Sequence, residues 1–88
     1  MIQSTVTLLN KVGLHARPAA KFVQTAKKFK AKIFVEKDGR EANAKSILEV
    51  LSLGAEYLSV ITIKADGEDE CEAVKALVDL VSSKFGEE

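Results

Sequence analysis

The chain has 88 residues, with 13 Lys and Arg, 13 Asp and Glu, and a hydrophobic content of 47%. We expect one domain over residues 1–88 and no membrane segment, because no apolar run approaches the roughly 18 residues that a spanning helix needs. The first residues lack the pattern of a signal peptide, so we expect a cytoplasmic protein. Cys71 is the only cysteine. We expect it to be partly buried, and the sequence leaves no partner for an internal disulfide.

The first half of the chain predicts a strand, a helix and a hairpin. Residues 2–8 alternate imperfectly between apolar and polar side chains, as a half-buried strand does. Apolar residues over 18–29 follow helical spacing, and the proline that begins this segment suits the first turn of a helix. Residues 31–36 alternate again. The pair Asp38-Gly39 is a strong hairpin signal and leads into a short strand over residues 40–43.

The second half predicts a short helix, a strand and a longer helix. Ser46 and Glu49 match the capping-box pattern, in which the serine hydroxyl caps the helix and the glutamate reaches back to the serine amide. That helix spans about two turns and stops at Gly54. Residues 59–66 alternate as a fourth strand. After an acidic first turn, the last helix has one apolar stripe: Val74, Leu77, Val78, Val81 and Phe85.

The predicted element order is therefore β-α-β-β-α-β-α. The strands are short, one pair forms a tight hairpin, and each helix needs a single apolar surface. One antiparallel sheet covered on one face by helices satisfies all three conditions. We expect an α+β fold.

The run Gly13-Leu14-His15-Ala16-Arg17-Pro18-Ala19 holds the only histidine and the only proline, where a strand pattern gives way to a helix pattern. Imidazole is a nucleophile in its neutral form, which predominates near pH 7. Arg17 and the start of a helix both favour an anion beside His15, and Gly13 can take the positive φ of the turn that presents it. We expect His15 to accept a phosphoryl group.

Motifs of a self-sufficient enzyme are missing from the sequence. We find no Walker-type glycine loop, no kinase-like set of metal-binding acids and no catalytic triad around the single histidine. One cysteine and one histidine cannot form a closed zinc site. The pattern therefore favours a carrier that works without cofactor or metal, and whose partners supply the donor and the catalytic machinery.

At these residues the sequence resembles, over its full length, the HPr family of histidine-containing phosphocarriers of the bacterial phosphoenolpyruvate-dependent sugar phosphotransferase system. Residues 13–19 resemble the family's active-site signature, and residues 45–54 resemble its regulatory-serine signature. The resemblance implies an open-faced β-sandwich with strand order 1-4-2-3 and three helices on one face. It implies that Nδ1 of His15 receives a phosphoryl group from phosphorylated enzyme I and passes it to sugar-specific IIA proteins. Arg17 would stabilise that group.

The resemblance also implies regulation at Ser46 by an ATP-dependent HPr kinase/phosphorylase, an enzyme that only some bacteria possess, and contact with a transcription regulator. Glu49 would repel a phosphate on Ser46. The short helix and the start of the first helix are implied to meet enzyme I and IIA proteins through apolar residues: Ala20, Ile47, Leu48 and Leu51. We expect a monomer. Many family members have a small polar residue where this chain has Val12, so backbone amides and Arg17 would have to bind the phosphoryl group.

Two alternative functions remain open, and a third, nucleic-acid binding, is not favoured by the sequence. The chain could be a regulatory protein that transfers nothing onward, or a carrier in a nitrogen-linked phosphotransferase chain. Residues 1–45 carry ten Lys and Arg against three Asp and Glu, while residues 46–88 carry three against ten, and this asymmetry can orient an acidic partner. It does not predict nucleic-acid binding, because the predicted strands hold one aromatic, Phe34, and the net charge is zero.

Overall fold

The computed structural model describes residues 1–86. In that range the chain forms β1 (Ile2–Thr7), α1 (Ala16–Ala26), β2 (Lys32–Lys37), β3 (Arg40–Asn43), α2 (Ile47–Ser52), β4 (Val60–Asp66) and α3 (Glu70–Ser82), followed by a 3-10 turn at Lys84–Gly86. The order of strands and α-helices is the predicted one.

The four strands form one antiparallel sheet in the order β1-β4-β2-β3. Ala65 of β4 pairs with Ile2 of β1 on one side and with Ile33 of β2 on the other. Alternate residues of β4 are buried, as strand geometry requires when one face of a sheet is covered. The sheet therefore has one apolar face, and its strand order confirms the predicted one.

The three helices cover that apolar face. Helix α3 packs against β1 and β4, α2 contacts β3, and α1 contacts both other helices. Each helix contributes a fully buried side chain to the core: Phe22 from α1, Val50 from α2 and Leu77 from α3. Within residues 1–86 no helix is long and apolar enough to span a membrane.

Three local expectations were wrong. Helix α1 ends at Ala26, so Phe29 lies in the following turn instead of the helix. Phe85 is buried but does not extend the α3 stripe, because it has φ 58° in the left-handed region and the helix ends at Ser82. Cys71 is exposed, since it lies in the acidic first turn of α3.

The turn between α1 and β2 is fastened to the start of α3. The carboxylate of Asp69, the N-cap residue of α3, accepts N–H bonds from Lys30 and Ala31, both at 2.8 Å. These bonds, chiefly the one from Lys30, hold the pKa of Asp69 below its ordinary value. Nζ of Lys45 donates to the carbonyl oxygen of Phe29 at 2.7 Å in the same turn. The far end of α1 is thus held by groups from two other parts of the chain.

Candidate functional site

His15 is the N-cap residue of α1. Its backbone is extended, with φ −84° and ψ −170°, and its carbonyl oxygen accepts the N–H of Ala19 at 2.8 Å. Both His15 and Arg17 are exposed, while Pro18 is buried in the first turn as predicted. The imidazole therefore stands at a helix N-terminus in reach of solvent.

This position suits an anion. The N–H groups of a first helical turn have no acceptor within their own helix, and the helix dipole places partial positive charge there. The first turn of α1 contains no acidic residue, and it contains the guanidinium of Arg17. A phosphoryl group on His15 would lie at this positive end of the helix, and charge-assisted bonds to phosphate are among the strongest hydrogen bonds in proteins.

The loop before His15 is packed against the segment that follows α2. Gly13 has φ +64°, as its role in a turn predicts, and a Cβ added there would lie 2.5 Å from the carbonyl oxygen of Ala55 and from Cα of Glu56. The N–H of Leu14 donates to the same Ala55 oxygen at 2.9 Å, and the Leu14 side chain is buried. The loop is thus fixed immediately before the histidine.

Sequence reasoning missed Asn10. Its side chain is buried, and its Nδ2 donates to the carbonyl oxygen of Gly13 at 2.8 Å. Its backbone carbonyl accepts the N–H of Gly13 at 3.1 Å. The signal that could have found it is general, since asparagine side chains commonly bond to backbone groups within a few residues in turns.

Helix α2 brings apolar residues beside His15. A cavity of about 260 Å³ is lined by His15 and its two neighbours and by residues at and after the end of α2: Leu14, His15, Ala16, Leu51, Gly54, Ala55 and Glu56. A second cavity, also of about 260 Å³, lies between α1 and α2 and is lined by Ala20, Val23, Gln24, Lys27 and Ile47. Of the predicted partner residues, Leu51 therefore lines the cavity at His15, and Ala20 and Ile47 line the second cavity.

The apolar side chains of α2 are unevenly exposed. Leu48 is 77% exposed, whereas Ile47 and Leu51 are each 37% exposed. Leu48 lines neither of these two cavities and projects into solvent. Three apolar side chains on a helix of six residues thus remain accessible, and one of them, Leu51, shares a cavity with His15.

Ser46 is the N-cap residue of α2, and its Oγ accepts the N–H of Glu49 at 3.4 Å. The second half of the predicted capping box is wrong. The Glu49 carboxylate accepts the N–H of Asn43 at 3.0 Å, because the Ser46 amide already donates to the Asn43 carbonyl oxygen at 3.0 Å. Ser46 is not among the residues that line the His15 cavity.

The residue before Gly13 adds no polar side chain to the loop that leads to the histidine. Val12, which precedes Gly13, is 51% exposed and has no hydrogen-bonding side chain. In the part of the chain that the structure describes, no group of three or more His, Cys, Asp or Glu side chains could hold a metal ion. Arg17 and the backbone amides in the first turn of α1 have the chemistry to bind a phosphoryl oxygen.

Residues 2–83 match the family model described as the PTS HPr component phosphorylation site, where PTS is the phosphotransferase system. The chain belongs to the HPr family. A phosphocarrier protein HPr of Xylella fastidiosa strain Temecula1 is 46% identical over 88 residues, which are 100% of this chain and 99% of that protein.

Two solved HPr structures from Thermoanaerobacter tengcongensis extend the comparison. In one, HPr-C-His is 58% identical to this chain with a TM-score of 0.98, over 100% of this chain and 99% of the other. The other is described as an HPr dimer and is 57% identical with a TM-score of 0.80, over 99% and 100% of the two chains. The likeness confirms the predicted HPr fold.

Membership of the HPr family confirms the resemblance found in the sequence. The chain is a phosphocarrier component of the phosphotransferase system and not a catalytic enzyme. The expected monomer is not confirmed, because an HPr relative has been crystallised as a dimer.

Proposed function

We propose that this HPr protein, a single domain over residues 1–88, carries a phosphoryl group on Nδ1 of His15. The group would come from phosphorylated enzyme I, with phosphoenolpyruvate as its source, and would pass to sugar-specific IIA proteins in the cytoplasm. The observation that carries this proposal is the exposed His15 at the N-cap of α1, with Arg17 in the first turn of the same helix.

The transfer follows from the chemistry of the ring. In the neutral imidazole with its proton on Nε2, the lone pair of Nδ1 attacks phosphorus, and the bond from phosphorus to the donor breaks as the N–P bond forms. The first turn of α1 and Arg17 then stabilise the charge of the phosphoryl group. Transfer to a IIA protein is the same step with His15 as the leaving group.

The apolar surface beside the site is the proposed docking surface for both partners. It comprises Ala20 of α1 and Ile47, Leu48 and Leu51 of α2. Accessible apolar side chains around a reacting group are suited to exclude water when a partner docks. The same surface would serve donor and acceptor in turn, since each must reach the same nitrogen.

Ser46 is proposed as a regulatory phosphorylation site for an HPr kinase/phosphorylase, with a transcription regulator as a further partner. A phosphate at the N-cap of α2 is favoured by the helix dipole, and Glu49 opposes it. The Glu49 carboxylate is engaged with the Asn43 amide, so moving it away from a phosphate would cost that bond. Incubation with such a kinase and ATP, followed by mass spectrometry of peptides, tests this site, and an unmodified Ser46 would contradict it.

The main test is incubation with enzyme I, Mg²⁺ and phosphoenolpyruvate. Intact mass and phosphorus NMR under alkaline conditions should show one acid-labile phosphate that is absent from His15→Ala. The phosphorylated protein should then transfer this group to a IIA acceptor. A stable phosphohistidine that no acceptor discharges would indicate a regulatory protein instead, and no modification by an enzyme I that is active on a control carrier would contradict the proposal.

Arg17 is tested against a positive charge beyond the opposite end of α1. Arg17→Ala should slow phosphoryl acceptance by roughly 100-fold, the order expected for removing one group that stabilises developing charge. Lys28→Ala also removes one positive charge, but Lys28 lies beyond the C-terminal end of α1. If Lys28→Ala slows phosphoryl acceptance as much as Arg17→Ala does, Arg17 acts only through net charge.

A further inference from the structure

Among residues 1–86, Asn10 is the one polar side chain that is fully buried, with 2% of its surface exposed. It lies in the loop between β1 and α1, five residues before His15. Its Nδ2 donates to the carbonyl oxygen of Gly13 at 2.8 Å, and its backbone oxygen accepts the Gly13 N–H at 3.1 Å. Asn10 therefore holds Gly13 at both of its backbone polar groups.

The bond from Nδ2 fixes the peptide unit that leads to the histidine. The carbonyl of Gly13 and the N–H of Leu14 belong to one planar peptide unit. Asn10 holds the carbonyl side, and the oxygen of Ala55 holds the N–H side at 2.9 Å. The Leu14 side chain is also buried. The orientation of the peptide unit that precedes Leu14 and His15 is therefore fixed by a hydrogen bond on each side.

The hydrogen-bond donor Nδ2 is the part of the Asn10 side chain that stabilises the loop. Its Oδ1 is buried and has no hydrogen-bond partner within the described residues, which is unfavourable for a polar atom. An apolar side chain of similar size would fill the space without an unpaired oxygen. The bond to the Gly13 carbonyl is thus the gain that sets asparagine apart from an apolar residue here.

We propose that Asn10 is a positioning residue for His15, which acts by orienting the peptide unit between Gly13 and Leu14. This inference rests on the proposed phosphoryl transfer at His15. Without the bond from Nδ2, that peptide unit can rotate, and the imidazole shifts relative to Arg17 and the first turn of α1. Displacements of about 1 Å in a reacting group reduce rates by up to about 100-fold.

The test measures phosphorylation by enzyme I with phosphoenolpyruvate as a function of carrier concentration. Asn10→Ala removes the donor and the unpaired oxygen. Asn10→Leu keeps a side chain of similar size and has no donor for the Gly13 carbonyl. Ile33→Val is the matched control, because it destabilises a buried site in β2 that is remote from the histidine loop. All variants are measured well below their melting temperatures.

Both Asn10 variants should lower kcat for phosphoryl acceptance by about 10- to 100-fold and leave KM within about twofold of the parent protein, whereas Ile33→Val should change neither. Asn10→Leu fills the space that Asn10→Ala leaves empty, so it keeps the experiment decisive where Asn10→Ala does not fold. Folded Asn10 variants with the kcat of Ile33→Val, or with a raised KM alone, would overturn the positioning role. Failure of the parent protein to accept phosphate would instead overturn the proposed function itself.

Discussion

Gly13→Ala should lower the free energy of unfolding by about 2–5 kcal/mol, as the sum of two costs. Gly13 has φ +64°, and an L side chain in the left-handed region costs about 1–2 kcal/mol. The new Cβ would also lie 2.5 Å from the Ala55 oxygen and the Glu56 Cα. These are backbone atoms that cannot rotate aside, so relieving the clash adds about 1–3 kcal/mol.

Gly54→Ala separates the two costs. Gly54 has φ +62°, but nothing lies within 4 Å of an added Cβ, so only the conformational cost of about 1–2 kcal/mol applies. The gain from restricting the unfolded chain is the same for both variants and cancels in the comparison. Urea denaturation followed by far-UV circular dichroism gives both free energies. Equal losses in the two variants would show that the close approach of Gly13 to residues 55–56 does not limit the side chain there.

Three further changes probe other parts of the chain. Leu58 has φ +68° and is 56% exposed. Leu58→Gly should relieve the cost of this left-handed backbone and raise the free energy of unfolding by about 1 kcal/mol. A lower melting temperature would contradict backbone strain at Leu58. The pKa of Asp69 is lowered, so its carboxylate stabilises the fold above about pH 4, and this contribution is lost as the pH falls through the lowered value. Melting temperatures of Asp69→Asn should therefore depend less on pH between about 5 and 2 than those of the parent, and parallel curves would refute this. Leu48→Ala should change stability by less than about 0.5 kcal/mol while raising KM with enzyme I; Leu53→Ala, at a buried leucine, should cost about 2–5 kcal/mol. A destabilised Leu48→Ala with normal KM would assign Leu48 to packing.

The elements were predictable because each has a local signal. Alternation of apolar and polar residues predicted the strands, and Asp38-Gly39 predicted the β2–β3 hairpin. Its second strand, β3, spans residues 40–43 as expected. The errors lie where a distant contact overrides a local pattern. Phe85 continues the helical spacing of α3, yet it is buried in a left-handed turn whose carbonyl oxygen accepts a bond from Lys21 of α1. Spacing along one helix carries no information about that contact.

The candidate site was partly predictable for the same reason. The cluster around His15 stands out in the sequence, and its place at a helix start follows from the change of pattern. The position of Gly13 depends on Ala55 and Glu56, more than forty positions away along the chain. The bond from the Asn43 amide to Glu49 likewise depends on where β3 ends. Such features require the topology before they can be predicted.

The pairing of β1 with β4 has a consequence for how the site arises during synthesis. Beyond β1, Leu8 donates to the Ser59 oxygen and its own oxygen accepts the N–H of Leu58. The loop that presents His15 therefore cannot take its final shape until residues 55–66 have left the ribosome. Pairing of segments so far apart in sequence is typically a late and slow event in folding. A nascent chain that already holds α1 and the β2–β3 hairpin would still lack the ordered loop before His15, and with it the acceptor proposed above.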